Sequence, residues 1–187
     1  PRYYHFVYED VLFLMLDSED YTKKRMLEIY EARDKALKII AGEIEGTYEE
    51  SEYFHMSERK TGGMSAEQLS YFKDVLEKYP MTKWTFVLMH KPLWTRKDEK
   101  GLGKLEALLA ERPYSVINGH VHSFSHQKRN GRDYTILGTT GGGQREGDSL
   151  AFDHVTLVRM AKEPVMTHLK MEGILDETGK VPTGFIE

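Results

Sequence analysis

The sequence contains no cysteine among its 187 residues. Disulfides and thiolate metal sites are therefore excluded, and imidazole and carboxylate groups remain as the strong metal ligands. No run of 18 apolar residues occurs, so the sequence predicts no membrane-spanning helix and no membrane partner. An excess of positive charge is also lacking, because the formal net charge is -4. This balance argues against binding to duplex nucleic acid through phosphate neutralisation.

The composition is that of a folded protein. Hydrophobic residues make up 40% of the chain and charged residues 30%, which is typical of globular domains and too apolar for a disordered segment. The length fits one domain covering residues 1–187. The chain opens on Pro1 rather than on methionine, so a removed upstream segment, and with it the localisation, is left open.

Apolar runs of strand length recur along the first two thirds of the sequence. They cover residues 11–16, 84–89 and 114–117. Runs with apolar side chains on both faces predict strands buried on both sides of a sheet. A turn at Asn130-Gly131 predicts a hairpin after the third run, and two further strands are expected near 154–160 and 165–171.

Helical patterns lie between these runs. Residues 21–45 have apolar side chains near helical spacing, at Met26, Ile29, Tyr30, Leu37, Ile40 and Ile44. We assign 20–60 as a helical and loop insertion. Ser65 predicts the start of another helix, with Gln68 as its capping-box partner, and a third helix is expected at 103–111. Alternation of helices and strands predicts a layered α/β fold.

Histidines follow two of the predicted strands. His90 comes after the run at 84–89, and His120 and His122 follow the run at 114–117. In open α/β sheets, ligands bind beyond the carboxyl ends of strands. Residues two apart in extended chain project to one side, so we expect both imidazoles of the Gly119-His120-Val121-His122 string to face a common site. In a chain of this composition, about 0.03 such strings are expected by chance.

Longer strings around these histidines resemble a known family. The segments GGMSAEQLSYFKDVLEKYPMTKWTFVLMHKPLW, VINGHVHSF and YTILGTTGGG are similar to the second half of calcineurin-like metallophosphoesterases, in the branch that includes purple acid phosphatases. The likeness runs from about Tyr4 to Gly143. Its most specific marks are the strand-ending histidine of VLMHKP and the Gly-His-any-His string.

The resemblance implies a fold, a cofactor and an activity. The fold would be the C-terminal portion of a layered α-β-β-α metallophosphoesterase sandwich whose N-terminal half is absent. Two divalent metal ions would be bound, with His90 and His120 on one ion and His122 on the other. Imidazole ligands suit Mn, Fe, Zn or Ni. The activity implied is hydrolysis of a phosphate ester substrate, either a phosphomonoester or a phosphodiester.

Three further motifs of the family do not occur here in the right order. They are an Asp-any-His motif, a Gly-Asp motif whose aspartate bridges the metals, and an Asn-His motif that supplies a ligand and the general acid. All of them would precede Pro1. The catalytic residues therefore stay unknown, and we expect this segment alone to have an incomplete metal site and no efficient catalysis.

Two functional classes stay open. One is a hydrolase, of which this chain is the C-terminal portion. The other is a non-catalytic or degenerate relative that acts in binding or assembly. In either case half of a sandwich exposes strand edges and apolar faces, which promote association. We therefore predict a homodimer formed through the exposed sandwich surface.

Overall fold

A six-stranded mixed β-sheet forms the centre of the protein. A computed structural model describes residues 2–60, 62–97 and 99–171. The strands are β1 Tyr4–Tyr8, β2 Val11–Met15, β3 Trp84–Met89, β4 Tyr114–Asn118, β5 Ser125–Arg129 and β6 Arg132–Ile136. Their order across the sheet is β1-β2-β3-β4-β6-β5. Strands β2, β3, β4 and β6 run parallel, and β1 and β5 are antiparallel edges.

Within the described residues, four α-helices accompany the sheet, which confirms the α/β class. They are α1 Lys23–Ile40, α2 Glu52–His55, α3 Ala66–Lys78 and α4 Gly101–Leu108. Helices α3 and α4 cover one sheet face and enclose the main core, which includes Leu12, Leu14, Phe72, Leu76, Val87, Leu105, Val116 and Tyr134. Within the described ranges, no helix is long and apolar enough to cross a membrane.

The opposite sheet face carries a second, smaller core. It is built from Val11, Trp84, Phe86 and Ile117. The two strands expected near the end of the chain are confirmed as β7 His154–Met160 and β8 Pro164–Lys170. They form a separate antiparallel pair rather than extending the main sheet, and methionines of both strands pack on the second core.

Two tight turns close hairpins. The predicted turn at Asn130 and Gly131 is confirmed, with φ values of 51° and 70°, between β5 and β6. A second turn at Glu9 and Asp10, with φ of 46° and 64°, joins β1 to β2 and was not predicted. Turns with two positive φ angles suit the right-handed twist of paired strands, so the local strain in both is explained by hairpin geometry.

The start of α3 is partly as predicted. Ser65 caps the helix, because its hydroxyl accepts a hydrogen bond of 3.1 Å from the backbone N–H of Gln68. The capping-box role of Gln68 was wrong. Its amide bonds instead to the backbone N–H and C=O of Asp17, each at 2.9 Å, and the Ser65 N–H is bonded by Asp20. Gln68 is fully buried and ties the helix start to the end of β2.

Helix α1 forms where its pattern predicts, but its apolar face is not buried. The residues that it buries are Ala32 and Ala36. Tyr30, Leu37 and Ile40 are 66%, 50% and 62% exposed. The helix lies against the short helical turns of residues 48–59 rather than on the sheet.

Candidate metal centre

The sheet register brings His90 and His120 together. The last residues of β3 and β4, Met89 and Asn118, are paired neighbours. The ladder continues by one bond beyond the strands, because the N–H of Gly119 donates to the carbonyl oxygen of His90 at 3.1 Å. The two imidazole rings consequently lie with their centroids 5.0 Å apart. His120 Nδ1 and His90 Nε2 are separated by 3.2 Å.

The backbone at both histidines of the Gly-His-any-His string is in the left-handed region. The φ angles are 72° at His120 and 60° at His122. Such conformations are uncommon for residues other than glycine and cost on the order of 1–3 kcal/mol each. Among the described residues, the other non-glycine positions with positive φ are in the two hairpin turns. The strained histidines have no such explanation, and strain of this kind concentrates at functional sites.

These angles correct the expectation of an extended string. Residues 119–124 do not form a strand, and the N–H of Val121 bonds back to the carbonyl of Gly119 at 2.9 Å. The two imidazoles are therefore placed by successive turns and not by the alternation of a strand. Gly119 has no positive φ, and a Cβ there would meet nothing within 4 Å, so neither the turns nor a close contact requires glycine at this position.

His120 is held from its other side by a backbone carbonyl. Its Nε2–H donates to the carbonyl oxygen of Arg59 at 3.0 Å. Because this bond fixes the proton on Nε2, Nδ1 carries the lone pair that faces His90. Burial lowers the pKa of His120, and the charges of Lys91 and His90 act in the same direction, against the bond to Arg59. This shift favours the neutral ring, which is the form in which a histidine binds a metal.

His122 turns toward the glycine-rich loop of residues 138–143. Its Nδ1–H donates to the carbonyl oxygen of Gly143 at 2.6 Å, which leaves Nε2 with the lone pair. A Cβ placed on Gly142 would lie 3.3 Å from Cε1 of His122, so the loop packs closely against the ring. Asp153 holds the loop through a 2.8 Å bond from the Gly141 N–H.

The chain after His90 is fastened to the end of β4. The indole N–H of Trp94 donates to the side-chain oxygen of Asn118 at 3.1 Å, and Asn118 is 2% exposed. The ring of Trp94 also packs edge-on against Tyr134. A buried hydrogen bond of this kind fixes the loop between strands more firmly than surface contacts do.

The spacing of one ring nitrogen on His90 and one on His120 is compatible with two ligands of one divalent ion. Two nitrogens that are each about 2.0–2.1 Å from a tetrahedral Zn²⁺ lie roughly 3.3–3.4 Å apart. The separation of His120 Nδ1 from His90 Nε2 is 3.2 Å. A histidine ligand also commonly donates its second ring N–H to a carbonyl, as His120 does to Arg59. In the structure, His90 Nε2–H donates a hydrogen bond to His120 Nδ1, so metal binding would require that His90 carry its proton on Nδ1 instead and that further ligands be supplied.

A complete metal site is not assembled by the part of the chain that is described. No group of three or more histidine, aspartate or glutamate side chains there is arranged to hold an ion. His90 and His120 adjoin, whereas His122 contacts the glycine-rich loop. Asp17, at the end of β2, is engaged by Arg2 and by the N–H of Glu19. The ligand roles of the three histidines stay predictions.

Two groups that orient the histidines were not identified from the sequence. They are the carbonyl oxygens of Arg59 and Gly143. Every residue has a carbonyl, so the sequence carries no residue-type signal for such a contact. The glycine-rich composition of 138–143 was the one available indication that backbone would approach this region closely.

Comparison with known proteins adds no assignment. A scan against protein-family models and a search of curated proteins found no match to this chain.

Proposed function

We propose that the chain is the C-terminal part of a metal-dependent phosphoesterase of the calcineurin-like type. The observation that carries the proposal is the pair of imidazole nitrogens 3.2 Å apart at the ends of adjacent parallel strands. One ring of this pair is oriented by a carbonyl, and both histidines of the following string are strained. The substrate class is a phosphomonoester or phosphodiester.

The histidines would divide between two ions, as the resemblance implies. His90 Nε2 and His120 Nδ1 face each other across 3.2 Å and would bind one ion, and the Nε2 of His122 is left for another by its bond to Gly143. Two divalent ions would supply Lewis acidity toward the phosphate and lower the pKa of a water that attacks it. The remaining ligands and the general acid would come from upstream sequence, so this segment alone is proposed to be inactive.

The finer fold proposal is half of an α-β-β-α sandwich. Two observations support it. Helices α3 and α4 cover one face of the six-stranded sheet, as the outer helix layer of such a sandwich would. The other face bears an apolar core that β7 and β8 cover in part, with Phe6 and Tyr8 of β1 44% and 66% exposed. An apolar face of this kind suits a second sheet.

The first test is metal binding by the chain itself. Isothermal titration with Zn²⁺ should detect binding by the unmodified chain, and His120→Ala should lower the affinity at least about tenfold, because one of two adjoining imidazoles is lost. His126→Ala is the matched control. That histidine lies on β5 and bonds to Asp133, so its replacement should leave the affinity unchanged.

The titration also separates the two functional classes. Zn²⁺ affinity that is the same in His120→Ala as in the unmodified chain would contradict the proposed centre. The non-catalytic alternative would then be favoured, and the strained histidine loop would need a different ligand.

We also expect the chain to form a homodimer through the sandwich surface. On this face, Phe6 and Phe13 stack with centroids 4.5 Å apart, and Tyr8 is 66% exposed at the sheet edge. Edge strands that are apolar and uncharged tend to pair with other chains. Sedimentation should therefore show a dimer at micromolar concentration, and Tyr8→Lys should shift it toward the monomer.

Tyr30→Lys provides the control for this substitution. Tyr30 lies on α1 and is also 66% exposed, so the change in residue type and exposure is the same at a different surface. A monomer in the unmodified chain, or equal dissociation by both variants, would contradict the assignment of the interface.

A further inference from the structure

A short segment far from His120 in sequence supplies one of its contacts. Residues Ser57–Arg59 form a single helical turn, and the carbonyl of Arg59 accepts the bond from His120 Nε2 at 3.0 Å. This turn belongs to the 20–60 segment and lies outside both strands that position the histidines. Whatever fixes the turn therefore also fixes the imidazole.

Lys91 holds the turn from the side of the histidines, while Arg25 holds the Glu58 side chain and Arg59 bonds to the carbonyl of Phe54. The ammonium of Lys91 donates to the carbonyl oxygen of Glu58, the neighbour of Arg59, at 2.7 Å. A second bond of 2.6 Å joins it to a carboxylate oxygen of Glu19, and its own N–H donates to the Ser18 hydroxyl at 2.8 Å. Lys91 directly follows His90 in sequence. His90 contacts the ring of His120, and Lys91 contacts the turn whose Arg59 carbonyl holds that ring.

The burial of this lysine requires an explanation. Lys91 is 6% exposed, and lysine is rarely buried to this degree unless it is paired. Glu58 is 8% exposed and its side chain is held by Arg25 at 2.9 Å. Lys91 is paired with the carboxylate of Glu19, and it reaches Glu58 only at the backbone carbonyl. A directed hydrogen bond of this kind fixes the position of a carbonyl, which apolar packing would not do.

We propose that Lys91 is a positioning residue for the metal centre. It holds the Glu58 and Arg59 peptide groups so that the Arg59 carbonyl keeps the proton of His120 on Nε2. The lone pair of Nδ1 is then left on the side of His90, where it would be available to a metal ion. The 20–60 segment thereby becomes part of the support of the site. This inference rests on the proposed function, because it assigns His120 as a ligand.

The test uses Lys91→Met in the full 187-residue chain. Methionine keeps the length of the side chain and removes its donors. Zn²⁺ affinity should fall about tenfold, at the lower end of the 10–100-fold that loss of supporting contacts to metal ligands costs. The ¹⁵N chemical shifts of the His120 ring, recorded without metal, should change from a single Nε2–H tautomer to a mixture.

Glu19→Gln is the matched control, because it removes the charge partner of Lys91 and keeps the bond to the Glu58 carbonyl. Its affinity and its His120 tautomer should stay those of the unmodified chain. If Lys91→Met does not fold, the double variant Glu19→Gln/Lys91→Met leaves neither charge without its partner and still lacks the donor. It should show the same loss as Lys91→Met.

The outcomes distinguish this inference from the proposed function. An unchanged His120 tautomer in a folded Lys91→Met or double variant would overturn the positioning role. Unchanged Zn²⁺ affinity in His120→Ala would instead count against the metal centre, and the tautomer measurement would still decide whether Lys91 orients the ring.

Discussion

Replacing His120 by alanine should lower p-nitrophenyl phosphate hydrolysis by the full-length protein more than about 100-fold. Loss of groups that merely support a metal ligand costs 10–100-fold, and loss of the ligand itself should cost more. His120 is expected to have this effect because its Nδ1 lies 3.2 Å from His90 Nε2. Measurement of kcat/KM at saturating Zn²⁺ or Mn²⁺ tests the expectation.

His126→Ala serves as the control for this measurement too. His126 is bonded to Asp133 at 2.7 Å on the antiparallel edge of the sheet, so its loss should change kcat/KM by less than twofold. Both variants lose one imidazole, just after the end of β4 in one case and within β5 in the other. Equal activity of both, at the level of the unmodified protein, would refute the hydrolase assignment.

The 187-residue chain and the full-length protein should differ in hydrolytic activity. The unmodified 187-residue chain should hydrolyse the substrate far more slowly than the full-length protein, since the bridging carboxylate and the general acid are proposed to lie before Pro1. A fragment as active as the full-length protein would place the whole catalytic machinery within the present chain and would require ligands other than those proposed.

The positions of His90 and His120 follow from strand ends that the sequence indicates. The buried runs became β3 and β4, and parallel neighbours end at one edge of a sheet. Apolar runs of this length can be recognised because both faces of a central strand exclude water. The approach of the two rings could therefore be expected, although the 3.2 Å separation depends on a register that no residue type encodes.

The conformation of the histidine string could not be predicted. The two-residue spacing favoured an extended chain, but His120 and His122 have φ angles of 72° and 60°. Non-glycine residues adopt such angles only where surrounding contacts compensate the cost. Here those contacts are the carbonyls of Arg59 and Gly143, and long-range backbone contacts have no signature in the local sequence.

For helix α1 the sequence indicated the secondary structure but not the exposure of its apolar side chains. Its spacing predicted a helix with a buried apolar face, and the helix is present. Periodicity indicates which residues share a face, but it does not say what packs on that face. Its neighbour is the small helical region of residues 48–59, which covers Ala32 and Ala36 and leaves the larger side chains exposed.

The packing of α4 on the sheet gives the largest expected change in stability. Leu105→Ala should lower the free energy of unfolding by about 3 kcal/mol, within the range for buried leucines. Leu105 is fully buried in the main core between α4 and the sheet. Its deletion removes favourable transfer energy and leaves a cavity that rigid strands cannot close. Urea denaturation monitored by tryptophan fluorescence measures the change.

Leu37→Ala is the matched control for this prediction. It makes the same substitution within a helix, so the gain in helix propensity is equal. Leu37 is 50% exposed on α1, and its loss should therefore change the free energy of unfolding by less than about 1 kcal/mol. Similar losses in the two variants would mean that α4 does not pack on the sheet as described. The strand ends that carry His90 and His120 would then lose the core that holds their register.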